Sequence, residues 1–598
     1  MTADAAGRDP DAGLFEAEDA ASALDLLLSD AALGVVRRFL PSASALRFAA
    51  GLARRPRTVR RRATSLASEI VSIAAGRSAI APGKKDRRFT DPGWASNPLL
   101  ARLVQAYLAW AGTVESLLAD AELDWRDQER MRFVLSNLID AAAPSNNPLI
   151  SPVAWKAAID SGGLSVVRGL RSLASDLSAP PRVPAMVAPG AFEVGRDLAV
   201  TPGAVVARWD ICELIQYEPA AAAVYRYPLL IVPPMINKFY ITDLAPGRSM
   251  IEYLASQGHQ VFVLSWRNPD ARHRDWGLDS YGEAIVDALG AVRSICRAEK
   301  ASICALCSGG IASAMVAAHL CAVGRLDELA SLGLGVTVLD QVGAGTAAAV
   351  IDRRTATLAT AASQARGYLD GAALAEVFAW LRPNDLIWNY WVNSYLRGLS
   401  PPPFDILYWN ADTTRLPAAV HRDFIEIALT NALTKADAAT MLGSPVDLSK
   451  VDIDSYVVAG IADHLCPWQS CYRTTQLLGG HTRFVLSTSG HVASMVNPPS
   501  NQKATFQALA DQPGPDTTGP DGAGPDGAGP DDAGRGPANP AEPRAWLRAA
   551  QPVPGSWWPD YSAWLAQRSG GQQDRPRRLG RKGFRPLQPA PGSYVLGR

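Results

Sequence analysis

Ala305-Leu306-Cys307-Ser308-Gly309-Gly310 ends an apolar run that begins at Ala301 and stands ahead of a helix-like, alanine-rich stretch. A strand that delivers a thiol into a turn of small residues and continues as a helix has the form of a nucleophile elbow. The reactive side chain there sits in a strained turn, and its neighbours must be small because backbones close in on both sides. Ala305 occupies the place of the first glycine in the G-x-S-x-G pattern, a mild departure because alanine is the next smallest side chain. The alternative is a buried cysteine in a glycine-rich turn, since free cysteine behaves as a small apolar residue. The hexapeptide alone leaves both readings open.

Further along the chain stand the groups that would activate such a thiol. An elbow of this kind belongs to α/β-hydrolases, whose triads run nucleophile, acid, histidine. Asp463 follows the apolar run Ser455 to Ala459 and sits between Gly460 and Pro467; His491 follows the run Thr482 to Ser487 in Ser489-Gly490-His491. Both fall on loops at strand C-termini, where open α/β sheets gather their sites. Asp340, at the end of the run Leu334 to Leu339, is a competing acid without the Gly/Pro-bracketed loop. His464 neighbours the acid directly, so its side chain points elsewhere and is read as a support residue with Asp243 as a candidate partner. The histidines at 259, 273, 319, 421 and 481 lack comparable loops.

Strands are expected at Leu229 to Val232, Val261 to Ser265, Ile303 to Leu306, Gly335 to Leu339, Tyr456 to Ala459 and Phe484 to Ser487, separated by helix-length stretches. That alternation argues for a mainly parallel sheet wrapped by helices. Residues 1–88 are a variable, partly disordered segment with an arginine cluster at 54, 55, 57 and 60–62, read as a solvated face or as an amphipathic surface-binding stretch. Residues 89–200 are helical, and 201–510 form the α/β catalytic domain. Within it, residues 343–417 interrupt the strands with alanine-rich and then aromatic-rich sequence, more than a connection needs. Residues 511–543, a Gly/Pro/Asp repeat with almost no apolar side chains, read as a disordered linker. Residues 544–598 return to packable sequence and are expected to be a helical piece docking on the catalytic domain.

The chain has 598 residues, 48% hydrophobic and 19% charged, with formal net charge zero, which suits a large-cored globular enzyme. A neutral chain has no global pull toward nucleic acid, and no apolar run reaches the roughly 18 to 20 residues of a membrane span. The first twenty residues are acidic and lack a basic-then-apolar segment, so no secretory signal is expected. Seven cysteines without framework spacing fit reduced thiols in a cytoplasm, and the absence of paired CxxC motifs argues against zinc. No metal and no cofactor are expected.

From about Phe89 onward the chain resembles the polyhydroxyalkanoate synthases, of the class I type in length. The resemblance rests on "WASNPLLARLVQAYL" from Trp94, "GRDLAVTPGAVVARWDICELIQYEP" from Gly195, "PLLIVPPMINKFYITDL" from Pro228, "VFVLSWRNPD" from Val261, "LRPNDLIWNYWVNSYL" from Leu381 and "FDILYWNADTTRLP" from Phe404. It continues through "GIADHLCPWQSCY" from Gly460, "SGHVASMVNPP" from Ser489, "GSWWPDYSAWL" from Gly555 and "APGSYV" from Ala590. The resemblance implies a cytoplasmic, granule-associated enzyme that polymerises (R)-3-hydroxyacyl-CoA, of short chain, into polyester with release of CoA. It also implies a mobile cap over residues 343–417, a homodimer involving that cap, and contact with nascent polyester, the granule surface and granule-associated proteins. Cys307, Asp463 and His491 are the candidate catalytic residues. Oxyanion donors are expected at the backbone N–H of Ser308 and at Met235 and Ile236 in the loop after Val232. Phe404 and Trp409 are candidate pocket residues, and Ala493 a candidate for shaping the pocket. A depolymerase or thioesterase on the same fold, and a silent granule-binding protein, are the competing functions.

Overall fold

The computed structural model describes residues 43–84, 86–341, 353–463, 465–510 and 539–597. They divide into two compact units, one built from residues 193–341 and 414–597, the other from 43–192 and 353–413.

The first unit is organised by an 11-stranded sheet. In chain order its strands are β1 (Gly203–Arg208), β2 (Cys212–Tyr217), β3 (Leu229–Val232), β4 (Val261–Trp266), β5 (Ala301–Leu306), β6 (Leu329–Gly335), β7 (Ser455–Gly460), β8 (Thr482–Ser487), β9 (Thr505–Ala508), β10 (Gln551–Pro554) and β11 (Gln588–Pro589). Across the sheet they lie in the order β10-β9-β8-β7-β6-β5-β3-β4-β2-β1-β11. The six strands from β4 to β8 in that order are mutually parallel, with Val232 opposite Ala305 and Leu306 opposite Gly335. Every residue of β3, β4, β5 and β7 is buried, the mark of strands covered on both faces. Antiparallel pairs flank the parallel core on both sides. This is the α/β-hydrolase architecture the elbow and strand spacing called for.

Two expectations need correction. The strand expected at Gly335 to Leu339 lies earlier, at Leu329–Gly335. The β-branched run Val336-Thr337-Val338 follows its end: Val336 turns to φ +43°, and its N–H donates to Val458 O at 2.8 Å as the chain leaves the sheet. The stretch after 543 is mixed rather than helical. It holds the helices Pro543–Ala549 and Trp558–Ala566, and also β10, β11 and a short strand at Gln572–Asp574 paired with Ala223–Tyr225. Residues 539 and 540 already pack on the sheet unit: Asn539 Nδ2 donates to Thr482 O at 2.6 Å and Tyr472 Oη to Pro540 O at 2.6 Å. Residues 539–543 of the expected linker thus pack on this unit, and residues 511–538 of it lie outside the described residues, as do 1–42, 342–352 and His464.

The C-terminal segment is tied into the sheet by buried polar groups. Glu213 on β2 is fully buried, ion-paired to Arg208 at 2.6 Å, and its carboxylate accepts the N–H groups of Ser593 and Tyr594 at 3.0 Å each. Gly592 permits this approach. It sits at φ +83°, and a Cβ there would meet Glu213 Oε2 at 2.4 Å. Upstream, Asp560 binds Arg483 of β8 at 2.6 and 2.9 Å and accepts from Tyr456 Oη of β7 at 2.8 Å.

In the helical unit, the long helices Pro56–Ala74, Pro98–Asp120 and Trp125–Ala141 pack with Ala43–Ala53, and Phe89, Trp94, Val104, Tyr107 and Ile139 form a buried cluster centred on Pro98–Asp120. Part of the arginine cluster turns inward: Arg55 bonds the Asp120 carbonyl and Glu122, and Arg62 pairs with Asp120 at 2.7 Å. The aromatic-rich stretch belongs to this same unit, with Trp391 Nε1 donating to Asn146 O at 3.0 Å and Tyr395 Oη to Asp176 at 2.7 Å. Among the described residues, no helix is long and apolar enough to cross a membrane.

Candidate active site

Cys307 stands between β5 and the helix Ser308–Ala322 at φ +50°, ψ −120°, a conformation that a side chain adopts only when its surroundings hold it there. Those surroundings are visible. The Cys307 N–H donates to Gly335 O at 2.9 Å at the end of β6, and its carbonyl accepts from Gly310 N at 2.9 Å. Gly309 and Gly310 let the helix start this close to the sheet: a Cβ at Gly309 would lie 2.4 Å from Pro233 O, and one at Gly310 2.0 Å from Thr337 Oγ1. Ala305, at the position of the missing first glycine, is fully buried between Val232 and Leu334 in the ladder. The helix N-terminus behind the sulfur favours a negative charge there.

His491 opens the short helix His491–Met495 after β8, and Asp463 lies in the turn after β7. Their side chains meet, Nδ1 to Oδ2, at 2.8 Å. The other carboxylate oxygen of Asp463 accepts the N–H groups of Leu465 and Cys466 at 2.8 and 2.9 Å, which fixes its rotamer while the side chain is excluded from solvent. The helix carrying His491 is itself clamped from the C-terminal segment: Trp557 Nε1 donates to Ser494 O at 2.6 Å and Trp558 Nε1 to Met495 O at 3.2 Å. Asp340, the competing acid, has its carboxylate on Asn431 at 2.9 Å and Arg473 at 3.1 Å. His319 bonds Ser444 at 3.0 Å, His273 caps its own turn through Asp270, and buried His259 bonds Ser562. Buried Asp243 accepts from Thr201 and Ser249.

One participant went unassigned in the sequence. The sulfur of Cys466, the sulfur of Cys307 and a ring nitrogen of His491 all lie within 4.8 Å of one another. The Cys307 thiol is drawn down to about 5, chiefly by the hydrogen bond from Cys466 and then by the bond and charge of His491, against the opposing effect of burial. Cys466 is pushed well above its ordinary value by the same hydrogen bond and by burial. Burial pushes His491 down, yet the charge and hydrogen bond of Asp463 and the bond to Cys307 outweigh it and lift the imidazole to about 10. These opposed shifts favour a thiolate at Cys307 beside a protonated His491, with Cys466 placed to donate to it. The three donor atoms are of types that bind thiophilic cations, and an ion here would occupy the Cys307 sulfur.

The flanking loop is held against the elbow. Met235 N–H donates to Ser308 Oγ at 2.9 Å, and Thr414 Oγ1 donates to the Ile236 carbonyl at 2.5 Å. Ala493 is exposed two residues after His491. Phe404, 42% exposed, and Trp409, buried, belong to the helical unit.

A family model described as the N-terminus of poly-beta-hydroxybutyrate polymerase matches residues 85–254, and one for the alpha/beta hydrolase fold matches 228–498. The chain is 44% identical over 534 residues to poly(3-hydroxyalkanoate) polymerase 2 of Ectopseudomonas oleovorans, covering 89% of this chain and 90% of the relative. The chain belongs to the poly(3-hydroxyalkanoate) polymerases. Polymerase 1 of the same organism is 42% identical, with 89% of this chain and 90% of the relative covered. The polymerase subunit of Cupriavidus necator is 37% identical, with 88% and 86% covered. The polymerase thus carries a cysteine, histidine and aspartate arrangement on a hydrolase fold, and its reaction is acyl transfer into polyester.

Proposed function

We propose that the polymerase elongates polyester through a covalent acyl-cysteine on Cys307. The single observation that carries this reading is the thiol held at the elbow beside an imidazole whose far nitrogen is on a buried carboxylate at 2.8 Å. The thiolate attacks the thioester carbonyl of (R)-3-hydroxyacyl-CoA, and His491 gives its proton to the departing CoA sulfur. Thioester exchange is nearly isoenergetic, so the acyl group stays activated for the next step, which a serine ester would not allow. The 3-hydroxyl of a chain or monomer then attacks the acyl-cysteine while His491 takes its proton, and an ester bond forms as Cys307 is released. Asp463 holds the imidazole tautomer and stabilises its charged form.

The tetrahedral oxyanion is assigned to the backbone N–H of Ser308 and to the loop at Met235 and Ile236, whose closeness to the elbow through Ser308 Oγ supports the assignment. Use of the Met235 amide requires it to leave that hydroxyl. Because the growing chain is water-insoluble and covalently held, the enzyme resides at the surface of its own product, which is the basis for granule association.

The test is turnover of 3-hydroxybutyryl-CoA and 3-hydroxyoctanoyl-CoA by wild type and by Cys307→Ala. Wild type should release CoA and insoluble polymer from at least one of the two, and the variant neither. CoA release with free hydroxy acid as sole product, or retained turnover in the variant, would sink the reading. The ratio of the two wild-type rates assigns the monomer length.

A further inference from the structure

The mechanism above uses one cysteine, yet a second sulfur sits against it. Each of the seven cysteines is a free thiol. Cys321 donates to Lys450 O at 3.1 Å, Cys296 to Gln260 at 3.4 Å and Cys471 to Cys466 O at 3.7 Å, while Cys304 meets the Tyr561 hydroxyl. Among the described residues, Cys466 is the cysteine whose sulfur meets that of Cys307, within 4.8 Å. We propose that Cys307 and Cys466 form an oxidation site, in which a peroxide converts the two thiols into an intramolecular disulfide that halts turnover and that external thiols reverse.

The argument is geometric. A thiolate at a helix N-terminus is the form of cysteine that peroxides oxidise, and the fate of the sulfenic acid depends on whether a second thiol stands within reach. Cys307 is fixed by its backbone bonds to Gly335 and Gly310, so closure falls mainly on Cys466. Cys466 lies in the turn between Gly460 and Pro467, where its N–H is held by Asp463 and its buried side chain is directed at Cys307. Disulfide formation requires closure from within 4.8 Å to about 2.05 Å.

The chemistry balances. The Cys307 thiolate attacks peroxide; the O–O bond breaks, sulfenic acid forms, and the departing hydroxide takes the proton of His491 to leave as water. Cys466 sulfur then attacks the sulfenic sulfur; the S–O bond breaks, and the hydroxyl departs with the Cys466 proton as a second water. Two thiols lose two electrons and one hydrogen peroxide is reduced to two waters. The disulfide also removes Cys307 from further oxidation to sulfinic and sulfonic acids, which thiols do not reverse. This inference needs only the two sulfurs and the thiolate, and stands apart from the acyl-cysteine step.

The experiment treats the full-chain enzyme with a small excess of hydrogen peroxide, removes the oxidant with catalase, alkylates without reductant, and maps peptides by mass spectrometry alongside polymer synthesis. In wild type we expect a peptide containing Cys307 joined to one containing Cys466, a loss of activity of about tenfold or more, and its return on adding dithiothreitol. In Cys466→Ser and Cys466→Thr, each compared with its own untreated sample, the joined peptide is absent, Cys307 carries sulfinic or sulfonic acid, and dithiothreitol restores little. Irreversible oxidation of Cys307 in wild type without the joined peptide would overturn the proposal. So would recovery in both variants equal to that of wild type.

Discussion

Replacing Cys466 by alanine should raise the apparent pKa of the nucleophile, and the size of the change follows from the site. The bond from Cys466 is the largest influence lowering Cys307, which stands at about 5. A hydrogen bond to a charged group contributes about 1.5 to 3 kcal/mol, and about 1.4 kcal/mol corresponds to one pH unit. Removing it should therefore move the thiolate inflection to about 6 to 7, the value belonging to the coupled Cys307–His491 pair rather than to the sulfur alone. The sign is fixed: a lowered thiol holds its charge down to the shifted value, so the variant loses thiolate as pH falls from 7 toward 6, where wild type still keeps it. At pH 6 the thiolate fraction should drop about two- to tenfold relative to wild type, and at pH 7 by at most about twofold. The assay is the pH dependence of Cys307 alkylation by iodoacetamide, followed by ultraviolet thiolate absorbance and by loss of polymer synthesis. An inflection unmoved by the substitution would refute the donor role of Cys466. An inflection moved downward would refute the sign of the argument.

Three further outcomes follow. Asp463→Asn should keep the fold but lower kcat/KM about 10³- to 10⁴-fold by releasing the imidazole tautomer, as measured with 3-hydroxyacyl-CoA. It should also bring the basic limb of the pH profile well below the His491 value of about 10, since the carboxylate charge helps hold it up. Trp557→Ala should cost about 3 to 5 kcal/mol in denaturant unfolding and depress activity, because it removes a fully buried indole and the clamp on Ser494. Deleting residues 514–536, which spares the anchored Asn539 and Pro540, should leave specific activity within about twofold and the melting temperature nearly unchanged; loss of soluble protein would contradict it.

Most of the parallel core was legible because Leu229–Val232, Val261–Trp266, Ala301–Leu306 and Ser455–Gly460 are largely apolar runs buried along their whole length. Leu329–Gly335 was misplaced because its Ala, Ser and Gly residues carry no strand signal, whereas the β-branched run just after it does. The hairpin of β1 and β2 was obscured by Arg208, Asp210 and Glu213, charges that make sense only once Glu213 is seen receiving the chain end from far away in sequence. The edge strands Gln551–Pro554 and Gln588–Pro589 owe their shape to pairing, not propensity. For the site, order along the chain and loop setting brought forward Cys307, Asp463 and His491. Cys466 was missed although it stands three residues after the acid. The signal was there in principle: a carboxylate that accepts the amides of the next two or three residues curls the turn back on itself and swings whatever follows toward the acid's own partners.

The pairing of Ala508 with Gln551 has a practical meaning for how this enzyme can be taken apart. The chain departs from the second strand of the sheet, Thr505–Ala508, and re-enters on the edge strand beside it, so continuity of the polypeptide between those points is not what aligns Trp557 with the histidine-bearing helix. Two separately translated fragments, broken anywhere within residues 511–538, would each carry half of a ready template for the other. Complementation of such fragments would reconstitute polymer synthesis from two polypeptides and give a way to switch it on by assembly.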